Sequence, residues 1–142
     1  MRNAGSWSAY WYNGAIFSSE IGRGLDVAEL TPSQFISQNE IDAAKTVRFE
    51  YLNAQNQTKL VWPPSFALAR SYVDQLERSK CVPADRISTV RQTLSRAEAA
   101  SGSARRDALA QAGTQLGATS ACDGSKVQKF QDALKDLGGL MP

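Results

Sequence analysis

The sequence predicts an α+β protein, with an N-terminal antiparallel β-meander (a hairpin plus one strand) followed by an up-down bundle of about four short helices. Two observations carry this prediction. Residues 7–30 contain an Asn-Gly pair between aromatic and β-branched runs, whereas from residue 65 onward apolar residues recur at helical spacing. This change of period divides the chain into a β-rich segment with a short helix, residues 1–64, and a helical bundle, residues 65–142.

Length and composition favour a globular protein. The 142 residues suffice for one domain, or one domain with an appendage, and 42% hydrophobic and 21% charged residues are ordinary values. The net charge is +2, and neither part of the chain is basic enough for a nucleic-acid partner. No apolar run approaches the roughly 20 residues that cross a bilayer, so we expect no membrane span.

The first predicted hairpin has its turn at Asn13-Gly14. The run Trp7–Tyr12 precedes this pair and the run Ala15–Ser19 follows it. An Asn-Gly pair between two such runs is a strong hairpin signal because both turn positions need a positive φ. A second turn is expected at Gly22-Arg23-Gly24, so we assign a structural turn role to Asn13, Gly14, Arg23 and Gly24.

The stretch from Leu25 to Leu30 is predicted to be the third strand. Its alternation places Leu25 and Val27 on one face, and Asp26 and Ala28 on the other. Three strands alone are marginally stable, so the meander is expected to need a partner surface.

A short helix and two further extended runs are expected before residue 65. Ser37 and Glu40 have the spacing of a capping box, which predicts a helix through about Thr46. The runs Phe49–Leu52 and Lys59–Trp62 have β-like composition. The pair Pro63-Pro64 closes the segment and is a plausible hinge.

Four amphipathic stripes predict the bundle. Short breaks separate the helices, at residues 80–83, 101–103 and 123–125, and short connections favour antiparallel neighbours. Ser103 is expected to cap the third helix, and Gly138-Gly139 to end the fourth. The residues expected to face inward are Ala69, Tyr72, Val73 and Leu76; Ile87, Val90, Leu94 and Ala97; Leu109, Ala112 and Leu116; and Val127, Phe130, Leu134 and Leu137.

The two cysteines are a disulfide candidate. Cys81 lies in the first connection of the bundle and Cys122 in the third, and in an up-down bundle these connections lie at the same end. A bridge would close a loop of about 40 residues, worth on the order of 3–4 kcal/mol in the chain-entropy model. It requires Cα atoms within about 7 Å, and the sequence leaves both the bridge and two free thiols open.

The N-terminal motifs resemble a known family. The segment Trp7–Phe17 and the segment Glu20–Val27, with its Gly-Leu-x-Val pattern, resemble the closing blade of bacterial LVIVD-repeat β-propeller proteins. The helical part, from Phe66 to Leu137, looks like the helical region that follows such propellers, and distantly like the four-helix FIMAH module. The resemblance implies the C-terminal region of a longer secreted or surface-associated protein. A propeller needs several blades, and this chain holds at most one.

Aromatic residues are concentrated near the hairpin. A platform of aromatic rings can stack on a carbohydrate or a peptide, although large aromatics more often pack into a core or against a neighbouring blade. A lone blade would leave part of this surface exposed, and an exposed apolar patch marks an interface. We therefore predict a protein partner or self-association through the β edge, with an interaction surface of Trp7, Tyr10, Trp11, Tyr12 and Phe17.

No catalytic residues, metal site or cofactor site are predicted. The chain has no histidine, Gly-x-Ser-x-Gly or CxxC, which leaves serine, cysteine and zinc chemistry unsupported. Glu20, Asp26 and Glu29 could form an acidic site, but the calcium-binding loop pattern is missing. Glu20 and Arg23 could instead hydrogen-bond across the turn.

The arginines in the second half of the chain are interpreted as residues on solvent-exposed helix faces, not as a nucleic-acid site. Arg86, Arg91 and Arg96 step by five positions and so spiral around their helix instead of forming one stripe. Acidic neighbours dilute the field of Arg105-Arg106 as well.

The leading functional hypothesis is a non-catalytic interaction module, not an enzyme, which works outside the cell or in the periplasm as the C-terminal part of a β-propeller protein. This chain shows no secretory signal, so a signal would lie elsewhere in a longer parent. Two alternatives stay open: a metal-dependent hydrolase that uses the acidic residues near the hairpin, and a gene fragment without independent function.

Overall fold

The α+β class is confirmed. The computed structural model describes residues 5–22, 24–53, 55, 59–80, 82–116 and 124–139. The chain consists of two compact units, residues 1–63 and residues 64–142. In the described residues, the first unit contains three strands and one helix, and the second contains four helices.

The sheet of the first unit is an antiparallel meander. Strands β1 (Ser6–Tyr12), β2 (Ala15–Glu20) and β3 (Gly24–Ala28) lie in the order β1-β2-β3. Tyr12 pairs with Ala15, so the turn contains only Asn13 and Gly14, at φ values of 50° and 98°. Both values lie in the left-handed region that this two-residue turn requires, which explains the Asn-Gly pair.

The two strand pairs differ in regularity. The β1–β2 register shifts between Ser6 and Ser8, as at a β-bulge. The β2–β3 pairing runs without a break from Ile16 with Ala28 to Glu20 with Gly24. Strand β3 is therefore the regular edge of this sheet, and β1 the interrupted one.

Helix α1 (Gln38–Lys45) begins where the capping box predicts it. The Ser37 hydroxyl accepts a hydrogen bond from the Glu40 amide at 3.2 Å, and the Glu40 carboxylate accepts one from the Ser37 amide at 2.7 Å. Both bonds satisfy amides that have no partner inside the helix. The residues buried in and after α1 are Ile41, Ala43 and Val47.

The two extended runs predicted after α1 form no strand. The described residues of Phe49–Leu52 and Lys59–Trp62 belong to no helix or sheet. At Phe49 the reason is visible, because its amide and its carbonyl are both hydrogen-bonded to the Asn13 side chain. These groups are thus unavailable to a strand ladder.

The second unit is an up-down bundle of α2 (Phe66–Arg78), α3 (Ala84–Ala99), α4 (Gly102–Gln115) and α5 (Gly124–Gly139). Each helix packs against the next, and α5 packs against α2. Arg70 pairs with Glu98 while Asp74 pairs with Arg91, so α2 and α3 run antiparallel. The bundle core contains Ala69, Val73 and Leu76; Ile87, Val90, Leu94 and Ala97; Leu109, Ala112 and Leu116; and Val127, Phe130, Leu134 and Leu137.

One predicted cap is wrong. Helix α4 begins at Gly102 with Ser101 at the N-cap position, not at Ser103, and the Ser101 side chain makes no capping bond. Gly102 has a φ of 57°, which lets the chain reverse within two residues of the end of α3. An L-residue would adopt this conformation only with strain.

No helix among the described residues has both the length and the apolar character that a membrane crossing requires.

Candidate functional site

The alternation of the strands builds an apolar face on the sheet. Tyr10, Phe17 and Val27 are directly opposite one another on β1, β2 and β3, and Leu25 lies opposite Ser19. Tyr12 is on the same face, since its ring centre lies 6.2 Å from that of Phe17. We call Tyr10, Tyr12, Phe17, Leu25 and Val27 the aromatic face.

Much of the aromatic face is open to solvent. Tyr10 is 47% exposed, Leu25 63% and Val27 60%, while Tyr12 and Phe17 are half-buried. Adjacent apolar side chains with this exposure, spread over all three strands, are characteristic of a binding surface.

The segment after α1 is fixed against the hairpin turn. The Tyr12 hydroxyl donates to the Phe49 carbonyl at 3.0 Å. The Asn13 amide group donates to the same carbonyl at 3.0 Å and its oxygen accepts from the Phe49 amide at 2.8 Å, while Arg48 donates to the Asn13 carbonyl at 2.8 Å. Asn13 therefore forms the turn and holds the next segment in place.

An open pocket lies at the Tyr10 end of the aromatic face. Its volume is about 390 Å³, and its walls combine sheet residues with the segment that Asn13 holds. The second wall was not predicted, because the composition of residues 49–52 indicated another strand. The lining residues are Tyr10, Tyr12, Phe17, Glu50, Tyr51 and Leu52.

The structure separates Trp11 from this group. Trp11 pairs with Ile16 and so alternates to the other side of the sheet from Tyr10 and Tyr12. Trp7 lies at the register shift of β1 and is 79% exposed. Of the five predicted surface residues, Tyr10, Tyr12 and Phe17 are thus brought together.

The three acidic residues considered for a metal site, Glu20, Asp26 and Glu29, make separate contacts. The Glu20 carboxylate, which is buried, accepts hydrogen bonds from the backbone amides of Gly5 at 3.1 Å and Gly22 at 2.8 Å. Glu29 lies 3.6 Å from the Lys45 ammonium, and Asp26 lies opposite Ser18. The described residues contain no group of three metal-ligating side chains placed to hold an ion.

Arg91 is partly exposed, as its solvated interpretation expects, but it also makes structural ion pairs. Its guanidinium forms two hydrogen bonds with Glu77, at 2.6 and 3.1 Å, and one with Asp74 at 2.7 Å. The hydrogen bonds that Arg91 donates to Glu77, more than the one it donates to Asp74, raise the pKa of Arg91, and burial opposes them. Because Asp74 is only 8% exposed, this pair is a structural link between α2 and α3.

Arg105 also has a structural role, because it donates hydrogen bonds to backbone carbonyls, whereas Arg106 makes no such bonds to the described residues. The Arg105 Nε donates to the carbonyls of Ala97 at 3.1 Å and Ala100 at 2.6 Å, and an Nη donates to Glu98 O at 3.0 Å. It thus satisfies carbonyls at the end of α3. Arg106 points to a groove between α4 and α5.

Three predicted residues lie outside the described part of the chain. These are Arg23 of the second turn and the cysteines Cys81 and Cys122. The disulfide stays a prediction. Gly24, the other residue of that turn, begins β3 at a φ of 98°.

Compared with known proteins, the chain matches no family model, no curated protein and no solved structure. The resemblance to the end of an LVIVD-repeat propeller therefore stays a prediction.

Proposed function

We propose that the chain is a non-catalytic interaction module. Its aromatic face binds a β-sheet on the surface of another protein chain. The supporting observation is the exposure of Tyr10, Leu25 and Val27 side by side on three paired strands. Covering apolar surface is favourable by roughly 25 cal/mol for each Å² removed from water, and sheets pack face to face.

The free edge of β3 supports the same proposal. Its pairing with β2 is regular, and its sequence, Gly24–Ala28, contains neither the lysine nor the proline that often protects an edge strand. The edge of β1 is interrupted by the shift at Ser6 and Ser8. A partner strand would add to β3, beside the exposed Leu25 and Val27.

The natural partner in this proposal is a further blade of a longer β-propeller protein, outside the cell or in the periplasm. The residues that carry the resemblance, Trp7–Phe17 and Glu20–Val27, include the whole aromatic face. When the chain is purified alone, a second copy of it presents the same aromatic face and the same β3 edge. Self-association of the isolated chain is therefore the measurable consequence.

Light scattering of the purified chain over a concentration series tests the proposal. We expect a reversible dimer whose fraction rises with concentration. Val27→Lys should shift the protein to the monomer, because an ammonium group would enter the apolar contact. Its melting temperature should stay near that of the wild type, since Val27 is largely exposed.

Val61→Lys is the matched control. Val61 is exposed too, but it belongs to no strand and lies outside the aromatic face. This variant should dimerise like the wild type. A wild-type chain that is monomeric at every concentration, or a dimer that both variants weaken equally, would overturn the proposal.

A further inference from the structure

A second surface lies in the helical unit, between α4 and α5. The groove has a volume of about 500 Å³. One wall is a stripe of α4 that includes Arg106, Ala110 and Gly113, spaced by three or four residues. Such spacing places side chains on one face of a helix, so this stripe follows the helix axis for about 10–11 Å.

Two glycines line this groove. Gly113 stands on α4 and Gly138 on α5, and Leu109 and Leu134 beneath them are buried. A Cβ added at Gly113 would lie 3.6 Å from the Leu134 side chain, and one added at Gly138 would lie 3.9 Å from that of Leu109. Both are ordinary contacts, so the bundle would tolerate alanine at either position.

Charge distinguishes the rim of the groove from its floor. Within the described part of the chain, every charged residue lining it is basic, namely Arg106 and Lys135. Lys135 also lies 3.6 Å from Asp132, but both side chains are more than half exposed. Such an ion pair is weak, so Lys135 can pair with another carboxylate.

We propose that the α4–α5 groove binds an amphipathic helix with acidic residues beside its apolar stripe. Because Gly113 and Gly138 carry no side chain, a third helix can approach the groove closely and pack its apolar side chains there. Helix-in-groove binding uses apolar anchors at positions i, i+3 or i+4, and i+7, which matches the length of the groove. Glutamates flanking these anchors would face Arg106 and Lys135.

Fluorescence anisotropy with two designed peptides tests this proposal on the intact chain. Both are labelled amphipathic helices with leucines at i, i+3 and i+7; one carries glutamates beside the leucines, and the other lysines. We expect the glutamate peptide to bind saturably and at least about tenfold more tightly than the lysine peptide, a difference typical of complementary charge at an interface. No saturable binding, or equal affinities, would overturn the proposal.

Two double variants locate the binding. Arg106→Glu with Lys135→Glu should weaken the glutamate peptide by about tenfold, whereas Arg86→Glu with Lys129→Glu, an equal charge change outside the groove, should have little effect. Gly113→Ala with Gly138→Ala narrows the groove and should weaken binding about fivefold while the melting temperature stays equal or rises, because alanine favours helix. Binding that neither groove variant changes would place the peptide elsewhere and contradict the proposal.

Discussion

The guanidinium of Arg105 on α4 lies 5.8 Å from the ring centre of Phe66 at the start of α2. Arg70 lies 5.9 Å from the same ring and pairs with Glu98 at 2.5 Å. Since Arg105 also donates to carbonyls at the end of α3, one side chain joins three helices of the bundle. The neighbouring Arg106 has no comparable role.

Arg105→Lys is therefore expected to destabilise the bundle. A lysine cannot reproduce the planar fork that binds several carbonyls and stacks on Phe66, so the loss should be about 1–2 kcal/mol in the free energy of unfolding. Urea unfolding monitored by circular dichroism measures it. Arg106→Lys is the control, and it should change the stability by less than about 0.5 kcal/mol. Equal effects of the two variants would contradict the assigned role of Arg105.

Arg91→Met should cost more than Glu77→Gln. Removing the guanidinium deletes its ion pair with the buried Asp74, for which we expect a loss of about 2–3 kcal/mol, whereas the exposed Glu77 should contribute less than about 1 kcal/mol. Adding Asp74→Asn to Arg91→Met should recover part of the loss, because it removes the buried charge. Thermal and urea unfolding of the four proteins would show this order, and a lack of rescue would count against a buried ion pair.

Glu20→Gln should loosen the first unit. The carboxylate holds the Gly22 amide of the turn and the Gly5 amide before β1, so the loss should be about 1–2 kcal/mol. Hydrogen exchange at these two amides is the direct measurement, and both should exchange faster in the variant. Calcium should leave the melting temperature of the wild type unchanged. A rise with calcium that Glu20→Gln abolishes would favour the acidic metal site instead.

Asn13→Gly separates the two roles of Asn13. Glycine accepts the positive φ of the turn, so the hairpin should survive, but both hydrogen bonds to Phe49 are lost. We expect faster hydrogen exchange at the Phe49 amide and a more open pocket beside Tyr51. Unchanged protection at Phe49, with the hairpin intact, would show that the side chain of Asn13 does not hold this segment.

The sequence predicted those elements that depend on local patterns. The Asn13-Gly14 turn, the capping box of Ser37 and Glu40, and the apolar stripes of the bundle each follow from a few neighbouring residues. Local chemistry at these positions agrees with the fold, which is why periodicity and turn residues were sufficient.

Contacts between residues that are far apart in the chain could not be predicted from local sequence patterns. Hydrogen bonds join Asn13 to Phe49, which lies 36 positions further along the chain. Because of these bonds, the segment that was predicted to be a strand forms the wall of a pocket instead. The role of Arg105 and the groove at Gly113 and Gly138 likewise depend on how helices meet. In the sequence Gly138 signalled only the end of the fourth helix of the bundle, whereas in the structure both glycines line a surface.

We propose that this chain meets its partner at the aromatic face. Amide chemical shifts of the isotopically labelled chain, followed as the protein is diluted from millimolar to low micromolar concentration, test it most directly. We predict that the shifts that change belong to Tyr10, Phe17 and the strand Gly24–Ala28. Shifts that do not change with dilution, or that change mainly in the helices α2–α5, would overturn the assignment of the aromatic face as the binding surface.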